Sequence, residues 1–418
     1  MFGDLHDRLD ELAVFRSLED DRVFRAFHQL LRITGERGVD WWTRKTEFYR
    51  FVSQLYQAHT DNWTEYLTNL VLFTETPCTW FVANGLAIPE TIRNSARREL
   101  RYLSKTAGIS SAMMKQHYFI MGYGEFTGHE GLQPDWQAEE TDLETLYFER
   151  LGHIRQYGFG IWAKYKMFQM KLSDSSEKGY ILKPVSSPDT IQLHELVGYE
   201  PQRKQVVDNT KALLNGLKAS NILLYGSAGT GKSATVKAVA NLFAQDGLRL
   251  IELSKNELHL LPELLEELHT NPLKFVLFID DLSFQENDDD FSALKAVLEG
   301  SISARANNTV IYATSNRRHI VRETFSQRAG DEIHRNDTVQ ETISLSERFG
   351  IQILFDKPNK DLYLEIVRNL AEEAGLRTNA DTIARQAEQF AMRKSGRSAR
   401  AAKQFVEQLR CAEYQEES

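Results

Sequence analysis

The chain has 418 residues, of which 42% are hydrophobic and 26% charged, with a formal net charge of −9 and two cysteines, Cys78 and Cys411. Such fractions exclude a fibrous or wholly disordered chain, and two thiols exclude both a disulfide framework and a four-cysteine zinc site, as suits a reducing compartment. At roughly 150 residues per domain the length predicts two or three domains, each able to bury its own core.

The start, Met1-Phe-Gly-Asp-Leu-His-Asp, is acidic where an export signal is basic and then apolar. The longest weakly charged stretch, Leu67–Ile88, is broken by Glu75 and Pro77 and falls short of the ~20 apolar residues of a spanning helix. A cytoplasmic protein with no membrane partner is expected. A sequence pI of about 5.8 argues against coating nucleic acid by bulk charge, though not against a local basic patch.

All six tryptophans (Trp41, Trp42, Trp63, Trp80, Trp136 and Trp162) precede residue 163. This shift separates a first, mostly helical region from the rest. Val23–Leu31, Phe48–Tyr56 and Tyr66–Phe73 repeat apolar residues at three- and four-residue spacing, as one buried helical face requires. Pro89 can open the next helix, whose surface carries Arg93, Arg97, Arg98 and Arg101. The Gly-rich run Met121–Gly128 predicts a loop. Lys171–Ile191, rich in Ser, Gly and Pro, is the best linker candidate, which places a boundary near residue 185. Aromatics at helical spacing are more often core than binding surface, and no catalytic constellation is evident in this region.

Beyond Ile191 short apolar runs alternate with helical ones. Strands are expected at Asn221–Tyr225, Leu248–Leu253, Phe275–Ile279, Val310–Thr314 and Ile351–Phe355. Helices are expected at Lys232–Ala244, Leu258–Leu268 and Phe291–Glu299. Continuous apolar strands separated by helices indicate a parallel sheet covered on both faces. From Asp361 the chain reads as a small helical bundle with a break near Gly375. The expected parts are thus 1–185 (helical, Trp-rich, with linker), 186–356 (α/β core) and 357–418 (helical).

Gly226-Ser227-Ala228-Gly229-Thr230-Gly231-Lys232-Ser233, followed by Ala234, fits G-x-x-x-x-G-K-[ST]. Its glycines let successive amide N–H groups turn inward around an anion, and the helix starting at Lys232 adds its positive end. Lys232 supplies a point charge to the β- and γ-phosphates of ATP, and the Ser233 hydroxyl reaches Mg²⁺. The alternative, a glycine-rich turn that happens to precede a lysine, does not explain why the motif joins an apolar strand to an amphipathic helix. Phe275–Asp281 ends a strand in two carboxylates: Asp280 is the expected second Mg²⁺ residue and Asp281 the expected base that orients the attacking water. The Asp288–Asp290 run reads as a solvated loop and helix start. His153, His194 and His319 are isolated, and no metal site beyond Mg²⁺ with nucleotide is expected.

These motifs resemble those of the AAA+ ATPases over about residues 191–410. The resemblance implies a P-loop parallel-sheet core with a C-terminal helical lid and a separate, mostly helical N-terminal domain. Leu196-Val197-Gly198-Tyr199 is similar to the segment that packs on adenine. Asn316, at the end of Val310–Asn316, matches the first sensor, and Arg348 in Ser344–Gly350 matches the arginine finger that reaches a neighbour's nucleotide. Arg397 in Ser395-Gly396-Arg397 resembles the second sensor of the lid, with Arg400 one turn later as the alternative. Either arginine, like Arg348, has an ordinary reading as a surface or ion-pair residue. Arg317 and Arg318 line a pore or bind an anion, or else belong to a solvated loop. Ile279–Phe284, Ala293–Gly300, Ala313–His319 and Gly330–His334 further resemble a bacterial group of AAA+ proteins known as domain of unknown function 815.

One departure stands out. The common AAA+ acidic strand ends Asp-Glu, whereas here Asp281 takes the glutamate's place. A carboxylate about 1 Å short of its water costs on the order of 100-fold in rate, unless the backbone sits closer. The resemblance therefore implies an ATPase, slow if that gap is not closed. Closure would move a client or the N-terminal domain within a homo-oligomer built through Arg348. A slowly hydrolysing nucleotide-gated scaffold is the second reading. A DNA-associated loader using Arg93, Arg97, Arg98, Arg101, Arg317 or Arg318 is the third; no helix-turn-helix supports it.

Overall fold

A computed structural model describes residues 2–124, 126, 135–282, 289–299, 307–316, 347–394 and 396–416. The chain forms two compact units, Met1–Lys164 and Tyr165–Ser418.

The first unit is helical. Its main helices are Phe2–Asp10, Arg22–Gly35, Trp41–Gln57, Trp63–Phe73, Pro77–Ala83, Glu90–Ala107, Ser111–Ile120 and Leu143–Gly152. Side chains start most of them: Asp21, Asp40, Asn62, Thr76, Ser110 and Asp142 each accept a backbone N–H that the first turn leaves unpaired. Trp63 is fully buried and stacks on Phe27 at 4.3 Å, while Phe51 meets both Trp63 and Trp136 edge-on. The indole N–H groups of Trp63 and Trp136 donate to the carbonyls of Thr106 and Ile109, so burial leaves neither polar end unpaired. Trp162 is also buried, whereas Trp42 and Trp80 are exposed. Two of the buried charges are held by backbone groups. Arg44 donates to the carbonyls of Ile33, Thr34 and Glu36 at the end of Arg22–Gly35, and Glu99 accepts the N–H groups of Ala13, Val14 and Phe15. On the arginine-rich helix, Arg97 and Arg101 both pair with Glu144.

The second unit is built on a seven-stranded sheet. Its strands are β1 (Met167–Leu172), β2 (Tyr180–Pro184), β3 (Ile222–Gly226), β4 (Leu248–Leu253), β5 (Lys274–Ile279), β6 (Thr309–Ser315) and β7 (Ile351–Phe355), in the order β2-β1-β4-β5-β6-β3-β7. All neighbours are parallel except β1 and β2. Ile222 and Leu224 point into one core with Val236 and Val239 of helix Lys232–Leu242, while Leu223 between them is buried too. Coverage on both faces is why these strands read as unbroken apolar runs.

Residues Lys171–Ile191, expected as a linker, carry the end of β1, a turn and β2. Ser173, Ser176 and Gly179 make the turn: Ser173 N donates to Gly179 O at 2.9 Å, and Gly179 has φ +74°. The Ser/Gly signal marks a hairpin turn, and the compact units meet before it, at Lys164 and Tyr165. Helices Lys360–Glu373, Ala380–Arg393 and Ala399–Glu416 surround a small core of their own that includes Tyr363, Ile366, Ala387 and Phe405, with Val197 against it. Gly375, at φ +66°, ends the first of them, where the break was expected. No helix among the described residues is long and apolar enough to cross a membrane.

Candidate functional site

Strand β3 lies between β6 and β7, both of which follow it in sequence. The chain therefore leaves β3 in one direction and returns on both sides of it. That topological switch opens a crevice at the carboxyl ends of the strands, where ligands of open parallel sheets bind. Gly226, Asp280 and Asn316, at or just past the ends of β3, β5 and β6, converge there.

The loop that closes β3 takes the positive φ that favours glycine at three points, Gly226, Gly229 and Gly231, and at the first two a side chain would also meet a neighbour. Gly226 has φ +130°, and a Cβ there would collide with the Phe355 carbonyl of β7. Gly229 has φ +75°, and its Cβ would press on Arg400 and Ser398 at 3.1 and 3.3 Å. Ala228, Gly229, Thr230, Gly231, Lys232, Ser233 and Ala234 line a cavity of about 810 Å³, within the usual range for a small-molecule site. Val197 and Tyr199 form another part of its wall, and Arg400 and Lys403 of the last helix a third. Gly226 and Ser227, expected to bind nucleotide, do not line the cavity, and the Ser227 N–H donates to Phe355 O at 3.1 Å. Arg400 N donates to Gly229 O at 3.2 Å, which joins the loop to the start of the last helix.

Lys232 is 5% exposed and donates from Nζ to Ser227 O at 2.7 Å and to Asn316 Oδ1 at 3.0 Å. Burial pulls its pKa down to about 8, against the raising influence of Asp280 and Asp281, and Arg400 lowers it further. A desolvated ammonium held mainly by carbonyls fits a site that takes an anion. Ser233 Oγ donates to Asp280 Oδ1 at 2.6 Å. A hydroxyl and a carboxylate side by side are the hard oxygen donors Mg²⁺ takes when it keeps several waters.

Asn316 bridges the two halves of the site. Its Oδ1 accepts from Lys232, and its Nδ2 donates to Asp281 Oδ1 at 2.7 Å. Asp281 is one of three non-glycine residues with positive φ among those described, at +52°. Non-glycine residues in that region cost of order 1–3 kcal/mol, and such strain collects at functional sites. Its carboxylate is held by Asn316 on one oxygen, and Oδ2 has no partner among the described residues.

Arg397 and Arg400 part company. Arg397 grips Glu388 of the preceding helix through Nε and Nη2 at 2.9 and 2.7 Å, which holds the Glu388 carboxyl below its usual range, and it does not line the cavity. Arg400 does line it, so the later arginine occupies the place expected of the lid sensor. Arg348 lines a different cavity with Ser220, Asn221, Thr309 and Gly350, at the opposite ends of β3, β6 and β7. The five residues of β3 alone span about 13 Å at ~3.3 Å per step, so Arg348 does not serve its own chain's crevice. Asp289 and Asp290 begin helix Asp289–Glu299, as expected of that acidic run. Arg317, Arg318, His319, His334 and Ser395 lie outside the described residues.

Residues 164–413 match the family described as protein of unknown function (DUF815). The chain belongs to this family. DUF815 membership and the P-loop sheet with its three-helix appendage agree with the AAA+ resemblance carried by the motifs. Two replication proteins match short stretches. ORC1-type DNA replication protein 14 of Haloarcula marismortui is 48% identical over 54 residues, which is 13% of this chain and 12% of that protein. ORC1-type DNA replication protein 5 of Halobacterium salinarum is 40% identical over 67 residues, 16% of each. The chain thus spans less than a fifth of the curated relatives it matches. Among solved structures, the Thermotoga maritima RuvB Holliday junction branch migration motor aligns with 16% identity and a TM-score of 0.36, over 52% of this chain and 63% of that one.

For this DUF815 chain, the residue that motif reading missed is Thr314. It is 2% exposed near the end of β6. Its hydroxyl donates to Asp280 Oδ1 at 2.5 Å and accepts the Asp281 N–H at 2.9 Å, so it holds both carboxylate residues in register. The β5–β6 pairing of Ile279 with Ala313 sets this up, because the next step on each strand is Asp280 and Thr314. Tyr199 closes the Leu196–Tyr199 segment that the sequence singles out. Its ring lies 5.1 Å from Phe355 and its hydroxyl donates to Asp356 O, which fixes the segment beside Val197.

Proposed function

We propose that this chain binds Mg²⁺–ATP in the crevice and hydrolyses it to ADP and phosphate, driving movement of the helical lid within a homo-oligomer. One observation supports this above the rest: the hydrogen-bonded chain Lys232–Asn316–Asp281 beside Ser233–Asp280–Thr314 at the mouth of the phosphate loop. It gathers a lysine suited to phosphate, a hydroxyl–carboxylate pair suited to Mg²⁺ and a second carboxylate in one place. ATP phosphates would lie against the loop amides and Lys232, with adenine toward Val197 and Tyr199. Mg²⁺ held by Ser233 and Asp280 would neutralise the charge that develops as the terminal bond breaks. Asp281 would take or orient the proton of the attacking water through Oδ2, while Asn316 keeps the carboxylate aimed.

Arg348, on the far ends of the strands, is suited to a neighbour's nucleotide. The division into a helical N-terminal part, an α/β core and a helical lid from 357 to 418 is part of this reading, with the first boundary at Lys164 and Tyr165 instead of 185 and a protein client for the N-terminal part. A second reading, a slowly turning nucleotide-gated switch, is favoured by the short side chain of Asp281 and its fixed bond to Asn316. Steady-state phosphate release with Mg²⁺–ATP, together with mass measurement in a slowly hydrolysed analogue, tests the proposal. Wild type should turn over and assemble, and Arg348→Ala should bind ATP yet lose turnover. A wild type that binds no ATP refutes the site, and a strict monomer in both nucleotide states refutes the role of Arg348.

A further inference from the structure

Among the described residues, one group of metal-ligating side chains lies within mutual reach: His6, Asp10 and His28. It belongs to the first compact unit, which contributes no residue to the nucleotide crevice. His6 and Asp10 stand one turn apart on helix Phe2–Asp10, so they share a face. His28 comes from helix Arg22–Gly35 and is 8% exposed.

The separations suit a small ion. His6 Nδ1 lies 2.9 Å from His28 Nε2, and His28 Nε2 lies 3.6 Å from Asp10 Oδ1. Metal bonds of about 2.0–2.1 Å at tetrahedral angles put ligand atoms about 3.3 Å apart. These two values fall on either side of that figure; the three ligand atoms all lie within 4.8 Å of one another, and Asp10, whose Oδ2 is 3.4 Å from His6 Nε2, would turn toward Nδ1 to complete the set.

The next layer fits as well. Glu19 Oε1 lies 2.6 Å from His28 Nδ1. A carboxylate there keeps the proton on Nδ1 and turns the Nε2 lone pair toward the cluster, the arrangement that orients metal-bound imidazoles. In the metal-free protein that lone pair can accept from His6 Nδ1 at 2.9 Å, and a cation would take the place of the shared proton. Asp10 is exposed, which leaves an entry path and room for water in an open position.

The geometry points to a divalent metal site in which His6, His28 and Asp10 are ligands and Glu19 orients His28. Two imidazole nitrogens and one carboxylate oxygen select zinc over magnesium or calcium. The ion would clamp the first helix of the chain to the second.

The test uses the full chain, stripped with chelator and kept in excess Mg²⁺ so that the nucleotide crevice does not report. Zinc alone is titrated and bound metal counted after gel filtration; cobalt alone is read by its visible d–d bands. Wild type should retain one zinc per chain and give cobalt bands of tetrahedral or five-coordinate intensity. Asp10→Asn removes an exposed ligand without touching the core and should weaken zinc by about 10-fold or more, as should Glu19→Gln from the second layer. His6→Gln should abolish the cobalt bands while far-ultraviolet circular dichroism stays that of wild type. Failure of wild type to retain zinc overturns the site. So does an affinity unchanged in both Asp10→Asn and His6→Gln.

Discussion

Replacing Thr314 with valine removes one hydroxyl and almost nothing else, because the two side chains have the same branched shape. The residue is 2% exposed, so the perturbation stays at the junction of β5 and β6. Two hydrogen bonds disappear: the one donated to Asp280 Oδ1 at 2.5 Å and the one accepted from Asp281 N at 2.9 Å. A bond to a charged group contributes about 1.5–3 kcal/mol and a neutral one about 0.5–1.5 kcal/mol. Asp280 is exposed, and Asp281 N keeps a 3.1 Å contact with Asp280 Oδ1, so the lower ends apply. Their sum is about 2 kcal/mol, equivalent to roughly 30-fold. The loss should appear in kcat/KM for Mg²⁺–ATP, with a higher Mg²⁺ requirement. Affinity for ADP in chelator should stay near that of wild type, since Thr314, although it lines the cavity, is 2% exposed and its hydroxyl is taken up by Asp280 and Asp281. A melting temperature close to wild type would show that the core survives. If kcat/KM for Mg²⁺–ATP stays within about threefold of wild type, Thr314 does not position the two carboxylates.

Other expectations address neighbouring groups. Asp281→Asn should keep ATP binding and lower turnover by about 10²–10⁴, the range for loss of a positioned base; turnover equal to wild type removes Asp281 from that role. Lys232, with its pKa drawn down to about 8, is only partly protonated near that pH in the free protein, and a phosphate partner raises its pKa again. ATP binding at pH 8 should therefore take up about half a proton, visible as a dependence of the calorimetric enthalpy on buffer ionisation and lost in Lys232→Met. On the stability side the unfolded chain binds the extra proton between pH 8 and the ordinary lysine value of 10.5, so this group makes the nucleotide-free fold more stable as pH rises through that window. Arg400→Ala should weaken ATP by about 10-fold, while Arg397→Ala should leave affinity within about twofold and instead loosen the lid through Glu388; the reverse ranking would restore Arg397 as the sensor.

The legible parts were those in which chemistry dictates residue type at fixed spacing. Gly226–Ser233 reads as a phosphate loop because the glycines, the lysine and the serine each suit a separate task in holding a nucleotide, and the structure sets most of it along the cavity. The same holds for Asp280 after an apolar strand. Thr314 was hidden because its importance comes from strand register, which brings it opposite Asp280 across β5 and β6. Arg397 and Arg400 could not be told apart by motif alone, since a single turn separates them and the partner that diverts Arg397, Glu388, lies on another helix. The β1–β2 hairpin was misread because serine and glycine mark tight turns and linkers alike. His6, Asp10 and His28 form no recognisable spacing, and only the packing of two helices assembles them.

The bond from Arg400 N to Gly229 O has a mechanical meaning. For loop amides to face an anion, carbonyls must point the other way, and Gly229 spends its carbonyl on the first turn of the final helix. The loop and that helix therefore share one coordinate. If the loop takes phosphate as proposed, reshaping it would displace the helix, and a load on the helix would alter the readiness of the loop for phosphate. Reciprocity makes the two effects equal in free energy. A partner tugging on Ala399–Glu416 would thus regulate nucleotide affinity without entering the crevice, as a rein controls a bit.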